Sequence, residues 1–196
     1  MLVTILRKSQ ILGCLVLLFP ALLPAQEETL FQQTVHHGGY GAMVAQLTPV
    51  NGEIRGMSGF RGGWIVNHSM VLGAASYDLI EDVTLSDESY DFTYAGLELG
   101  YIFNPDELLH FSLWMLAGGG ALVLRDTEEN GNTRQHFTDG VLVLEPAIYL
   151  QMNITSYCHL GLGAGYRIAS DVELPDMENS DLQGLTGKLS LEFGVF

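Results

Sequence analysis

His110 and Ser112 stand two residues apart, a spacing that puts both side chains on one face of an extended strand. A hydroxyl beside an imidazole is the start of a nucleophile–base pair, and His136 adds another imidazole in a polar stretch. Such a pair also needs a group that orients the base, and the sequence holds no carboxylate next to either residue. The expectation is therefore a protein that is not an enzyme. His36 and His37 are adjacent, so in a strand they point to opposite faces and form no chelating pair. Carboxylates offer a second chemistry. Asp82, Asp87 and Glu88 share one polar stretch, Asp126, Glu128 and Glu129 the next, and Asp171, Glu173, Asp176, Glu178 and Asp181 a third. Close carboxylates can bind Ca²⁺ or Mg²⁺ through oxygen, but none of these stretches has the regular spacing of an EF-hand. Solvated acidic loops, the first two being candidate cation-binding loops, are expected, with no resident metal or cofactor. The third group is a set of charges embedded in apolar, glycine-rich segments: Arg61, Glu98, Glu145, Arg167, Lys188 and Glu192.

The elements that must position these residues are strands. Pieces with period-two alternation run over 38–48, 55–66, 70–80, 90–103, 108–124, 139–152, 157–169 and 185–196, separated by turn chemistry. Their connections alternate in length. Asn67 to Ser69, Asn104 to Glu107 and Asn153 to Ser156 read as tight turns, whereas 81–88, 125–138 and 170–184 read as long, polar, acidic loops. Only the connection around Asn51-Gly52 breaks the rule by being short. Tight turns on one rim and long loops on the other describe an all-β, eight-stranded antiparallel up-and-down transmembrane β-barrel.

Side-chain phase supports this reading. Leu142, Leu144, Ile148 and Leu150 oppose Val143, Glu145, Ala147 and Gln151; Leu97, Leu99, Tyr101 and Phe103 oppose Tyr94, Gly96, Glu98 and Gly100. One face is oily and the other is small or charged. A soluble barrel would fill its water-facing side with polar residues, whereas glycine with isolated charges suits a narrow interior where side chains must mesh. That assignment places the six embedded charges inside the barrel, where burial requires them to pair. Trp114 falls in the inward phase, while Trp64, Tyr77, Tyr101, Phe103, Phe111 and Tyr149 read as interfacial girdle residues.

Residues 1–25 read as a secretory signal: Arg7 and Lys8 precede an apolar run from Ile11 to Leu23, too short for a spanning helix of roughly 20 residues. Residues 26–37 are then a short N-terminal periplasmic segment and 38–196 the barrel. Removal of the signal leaves six basic residues against 23 acidic ones, which disfavours nucleic acid and anionic surfaces as partners. Of two cysteines only Cys158 stays, so no intrachain disulfide staples the mature fold.

Over residues 38–196 the spacing of strands, and the aromatic ending Leu189-Ser190-Leu191-Glu192-Phe193-Gly194-Val195-Phe196, resemble the small eight-stranded outer-membrane barrels of Gram-negative bacteria, the kind represented by outer-membrane proteins A, X and W. The resemblance implies outer-membrane lipids and lipopolysaccharide as surroundings and the barrel-assembly machinery as a partner during biogenesis. The ending departs from the usual pattern, because Leu189, Leu191, Phe193 and Val195 form the oily row and leave Phe196 in the opposite phase unless Gly194 hosts a bulge. The function expected is structural, adhesive or surface-interacting, through the acidic loops. Alternatives are a narrow channel or small-molecule conduit through the charged lumen and, less favoured, a lipid-modifying enzyme or a soluble periplasmic binding barrel.

Overall fold

The computed structural model describes residues 35–80, 83–85, 88–127, 133–171 and 178–196. The strands are β1 (His37–Val50), β2 (Glu53–Val66), β3 (Met70–Leu79), β4 (Val83–Leu85), β5 (Glu88–Ile102), β6 (Leu109–Thr127), β7 (Thr133–Thr155), β8 (Cys158–Ser170) and β9 (Gly184–Val195). Apart from β4, a short piece that folds back on β5, each strand pairs antiparallel with its sequence neighbours, β3 joins β5, and β1 joins β9. Eight strands therefore close on themselves and leave no open edge.

Closure runs in unbroken register from Gly39 opposite Val195 to Leu47 opposite Gly187. No bulge forms at Gly194. Phe196 instead turns inward, its ring stacked 3.6 Å from that of His159 and 6.3 Å from that of Tyr40. Its opposite phase makes it a stopper for the tight-turn end of the lumen rather than a member of the outer row.

Two connections expected to be long loops are largely sheet. β6 and β7 stay paired out to Thr127 opposite Thr133, with one register shift between Leu124 and Arg125, and β4 pairs with β5 inside the stretch between β3 and β5. The ladder uses main-chain groups and is indifferent to side-chain polarity, so the sheet continues where the period-two apolar signal has stopped. At the other rim β7 runs to Thr155, beyond its expected end, with a register shift between Asn153 and Thr155. The short β1–β2 connection is a two-residue hairpin whose central φ values, 50° at Asn51 and 76° at Gly52, are those of a type I′ turn.

The wall is oily outside. Ile54, Phe60, Leu97, Leu162 and Leu189 each expose half or more of their surface, the reverse of a soluble protein and the pattern of a barrel in lipid. Inside, large aromatic residues sit directly opposite glycines of the neighbouring strand. Tyr77 pairs directly with Gly59, Tyr94 with Gly120, Trp114 with Gly100 and Tyr149 with Gly163. A Cβ at Gly100 or at Gly163 would come within 2.7 Å of the ring it faces, so these glycines are what lets a large ring fit in an eight-stranded interior. Trp114 is inward as expected, and Trp64, Tyr101, Phe103 and Phe111 are exposed. Tyr77 and Tyr149 are not girdle residues: both are fully buried, because their phase along β3 and β7 is that of Ala75 and Glu145.

Candidate functional site: the lumen and its two ends

Inward phase on five strands brings the embedded charges together: Arg61 on β2, Glu98 on β5, Glu145 on β7, Arg167 on β8, and Lys188 and Glu192 on β9 are all buried. They do not behave alike. Arg61 Nη2 lies 2.5 Å from Glu192 Oε1, an oxygen that also accepts from Ser190 Oγ at 2.9 Å, while Gln151 Nε2 donates to Glu192 Oε2 at 2.9 Å. The Arg61 guanidinium is stacked over Trp114 at 4.1 Å and Tyr149 at 4.6 Å. Rings offer their negative faces to the cation where water cannot.

The second pair is Lys188 with Glu145, at 3.1 Å. Glu145 also accepts from Tyr94 OH at 2.7 Å and from Thr186 Oγ1 at 2.8 Å, and Lys188 Nζ reaches Tyr77 OH at 3.3 Å. Gln46 Nε2 donates to Tyr94 OH at 3.1 Å, which makes this a continuous layer across the barrel.

The expectation that every lumen charge is ion-paired fails at two residues. Arg167 meets no carboxylate among the described residues; its Nε donates to the Leu182 carbonyl at 2.6 Å and its Nη2 to the Pro49 carbonyl at 2.9 Å, with Phe92 5.0 Å below. Main-chain oxygens and a ring face surround the guanidinium. Among the described residues Glu98 makes no ion pair and its Oε2 has no hydrogen-bond partner. Gly73 faces Glu98 on β3, and Gly96 and Gly100 flank it on β5.

At the loop end, the lumen is capped by the β8–β9 connection. A single 3₁₀ turn, Asn179–Leu182, drops Leu182 fully out of solvent. The cap is held by Arg167, by Asn51 N–H donating to the Asp181 carbonyl at 2.8 Å, and by Gln183 Nε2 donating to the Ala169 carbonyl at 2.8 Å. Nothing in the alternation of β8 signals this, because the contact joins segments far apart in sequence.

His110 and Ser112 share the inward face as expected but are not joined. Ser112 Oγ accepts from Trp114 Nε1 at 2.8 Å, and His110 Nδ1 lies 3.2 Å from the Glu107 carbonyl with its ring against His159. Main-chain positions alone are described for Glu88, Asp126 and His136, while Asp82, Asp87, Glu128, Glu129, Glu173 and Asp176 lie outside the described residues, as do 1–34. His36 and His37 diverge as strand geometry requires: His37 stacks on Trp64, and His36 faces His68. Cys158 is half-buried and free.

Solved structures share this architecture. Neisserial surface protein A is similar with a TM-score of 0.55 at 13% identity, over 83% of this chain and 99% of that one. The N-terminal β-barrel domain of Pseudomonas aeruginosa OprF gives 0.51 at 9% identity, over 82% and 99%. Ail, the attachment invasion locus protein of Yersinia pestis, in complex with the heparin analogue sucrose octasulfate, gives 0.50 at 14% identity, over 83% and 99%. The chain has the fold of the small eight-stranded outer-membrane barrels. At these identities the likeness lies in the architecture. No protein-family model and no curated protein matches the sequence.

Proposed function

We propose that this protein is a non-enzymatic outer-membrane barrel that acts through its loops, in a structural, adhesive or surface-contact role. The observation that carries the reading is the filled lumen. Phe196 and His159 stack at one end, Leu182 and Arg167 close the other, and two buried ion pairs bridge the strands between them. Function is then left to the surfaces outside the wall. Residues 1–25 serve as the export signal, 26–37 lead into the barrel, and the barrel-assembly machinery inserts the chain. On the loop side the carboxylates of Asp82, Asp87, Glu88, Asp126, Glu128 and Glu129 would hold divalent cations that bridge to lipopolysaccharide phosphates. A polyanion of the kind bound to Ail suits these acidic loops poorly without such ions.

Two measurements test this. The protein recovered in outer-membrane fractions with heat-modifiable migration supports the barrel, and release by osmotic shock overturns it. Ca²⁺-dependent association of the folded barrel with lipopolysaccharide, lost when the six loop carboxylates are made amides, supports the surface role; association that ignores both Ca²⁺ and the substitutions refutes it.

A second reading, a narrow conduit, is favoured by one observation. Polar atoms of Tyr40, Arg61, Glu98, Tyr149, Gln151, His110 and His159 have no hydrogen-bond partner among the described residues although they are buried, and such groups call for water. Planar-bilayer recordings separate the readings: steady conductance abolished by Glu98→Leu supports a conduit, and silence at several voltages and salts removes it.

A further inference from the structure

The β2–β3 turn carries a residue that its backbone does not favour. Asn67 and His68 both take positive φ, 52° and 59°, and Ser69 N–H donates to the Val66 carbonyl at 3.2 Å. Turns of this kind prefer Asn-Gly, and the same barrel uses Asn51-Gly52 at its other rim. Histidine is among the few non-glycine residues found in the left-handed region, yet glycine fits there at less cost, which points toward a use for the side chain.

The surroundings fix what that use can be. His36 is clamped onto the turn by reciprocal bonds: its N–H donates to Asn67 Oδ1 at 3.1 Å, and Asn67 N–H donates to its carbonyl at 2.8 Å. The His36 and His68 rings stand 5.4 Å apart, centre to centre, and both are exposed. His68 Nδ1 lies 2.7 Å from the Phe196 main-chain oxygen. That oxygen can only accept, so Nδ1 carries the proton, and in the neutral ring Nε2 is left as a free lone pair. A histidine whose second nitrogen is tied to a carbonyl oxygen is the usual arrangement of a metal ligand. With metal–nitrogen bonds of about 2.0–2.1 Å, two imidazoles on a tetrahedral ion have ring centres roughly 5 Å apart, and at a square-planar right angle roughly 4.5 Å. The observed separation fits the tetrahedral case.

We infer that His36 and His68 form a Zn²⁺ site on the tight-turn rim, with water completing the shell, since no third His, Cys, Asp or Glu joins them among the described residues. The ion ties the segment entering β1 to the β2–β3 turn, beside the place where β9 closes the barrel.

The test is a zinc titration of the full folded chain in detergent micelles, prepared without a polyhistidine tag. One Zn²⁺ per chain is expected, with Mg²⁺ silent. Affinity should fall at least tenfold in His36→Ala and in His68→Gly, and stay unchanged in His37→Ala and His136→Ala. His68→Gly is informative because glycine suits the turn: that variant should melt at the same temperature or higher in the absence of zinc, so loss of binding there is not loss of fold. Binding that survives both His36→Ala and His68→Gly, or no binding in the unaltered chain, overturns the site.

Discussion

Glu98 and Glu145 are both buried carboxylates in the same lumen, and they should respond very differently to substitution. Glu145→Ala leaves Lys188 buried without its partner and removes the acceptor of the Tyr94 and Thr186 hydroxyls. Breaking a buried pair from one side costs about 3–5 kcal/mol, and Lys188 keeps only its contact with Tyr77. A loss of about 4 kcal/mol is expected, a large share of a typical stability of about 5–15 kcal/mol. Glu98→Gln keeps the shape and removes a charge that is ion-paired with no group among the described residues, so a change under about 1 kcal/mol is expected. Urea unfolding in micelles reads both: at a slope of about 2 kcal/mol per molar, the Glu145→Ala midpoint drops by roughly 2 M while that of Glu98→Gln hardly moves. The double variant Glu145→Leu with Lys188→Met should recover most of the loss, because removing both charges leaves neither unpaired. Equal shifts for the two single variants, or a double variant worse than Glu145→Ala, would refute this account of the lumen.

Three further outcomes follow from packing. Gly163→Ala places a methyl against the Tyr149 ring, which displaces it from the Arg61 stack and costs about 1–3 kcal/mol; an unchanged unfolding midpoint would contradict the glycine–aromatic pairing. Arg167→Met removes the bonds to the Leu182 and Pro49 carbonyls, so residues 178–183 should exchange their amide protons and be cut by protease faster while the wall stays protected. Equal protection before and after would show that Arg167 does not hold the cap. Leu97→Arg on the exposed outer face should lower stability in bilayers by about 2–4 kcal/mol near the midplane, and an unaltered value would argue that this face does not meet lipid.

Much of the wall was legible in the sequence because a strand has only two faces. Once Leu97 and Leu99 are outside, Glu98 must be inside, and the same logic sends Glu145, Arg167 and Trp114 inward. The misreadings arose where another signal was set against phase. Tyr77 and Tyr149 suggested girdle residues by type, yet their alternation with Ala75 and Glu145 already turned them inward. The acidic stretches around 81–88 and 125–138 suggested loops by polarity, whereas β4, β5, β6 and β7 carry the ladder into them with main-chain bonds that no side chain reports.

By itself the sequence determined the number of wall strands, their up-and-down order and the phase that turns the embedded charges inward, because these depend on local alternation and connection length. The partners inside were decided only by the tertiary structure. Glu192 rather than Glu98 receives Arg61, Arg167 bonds to the Leu182 and Pro49 carbonyls, and Leu182 reaches back to stopper the mouth. These choices depend on how far each strand is staggered against the next and where the barrel closes. Those quantities fix which inward positions share a level, and no single strand's pattern contains them.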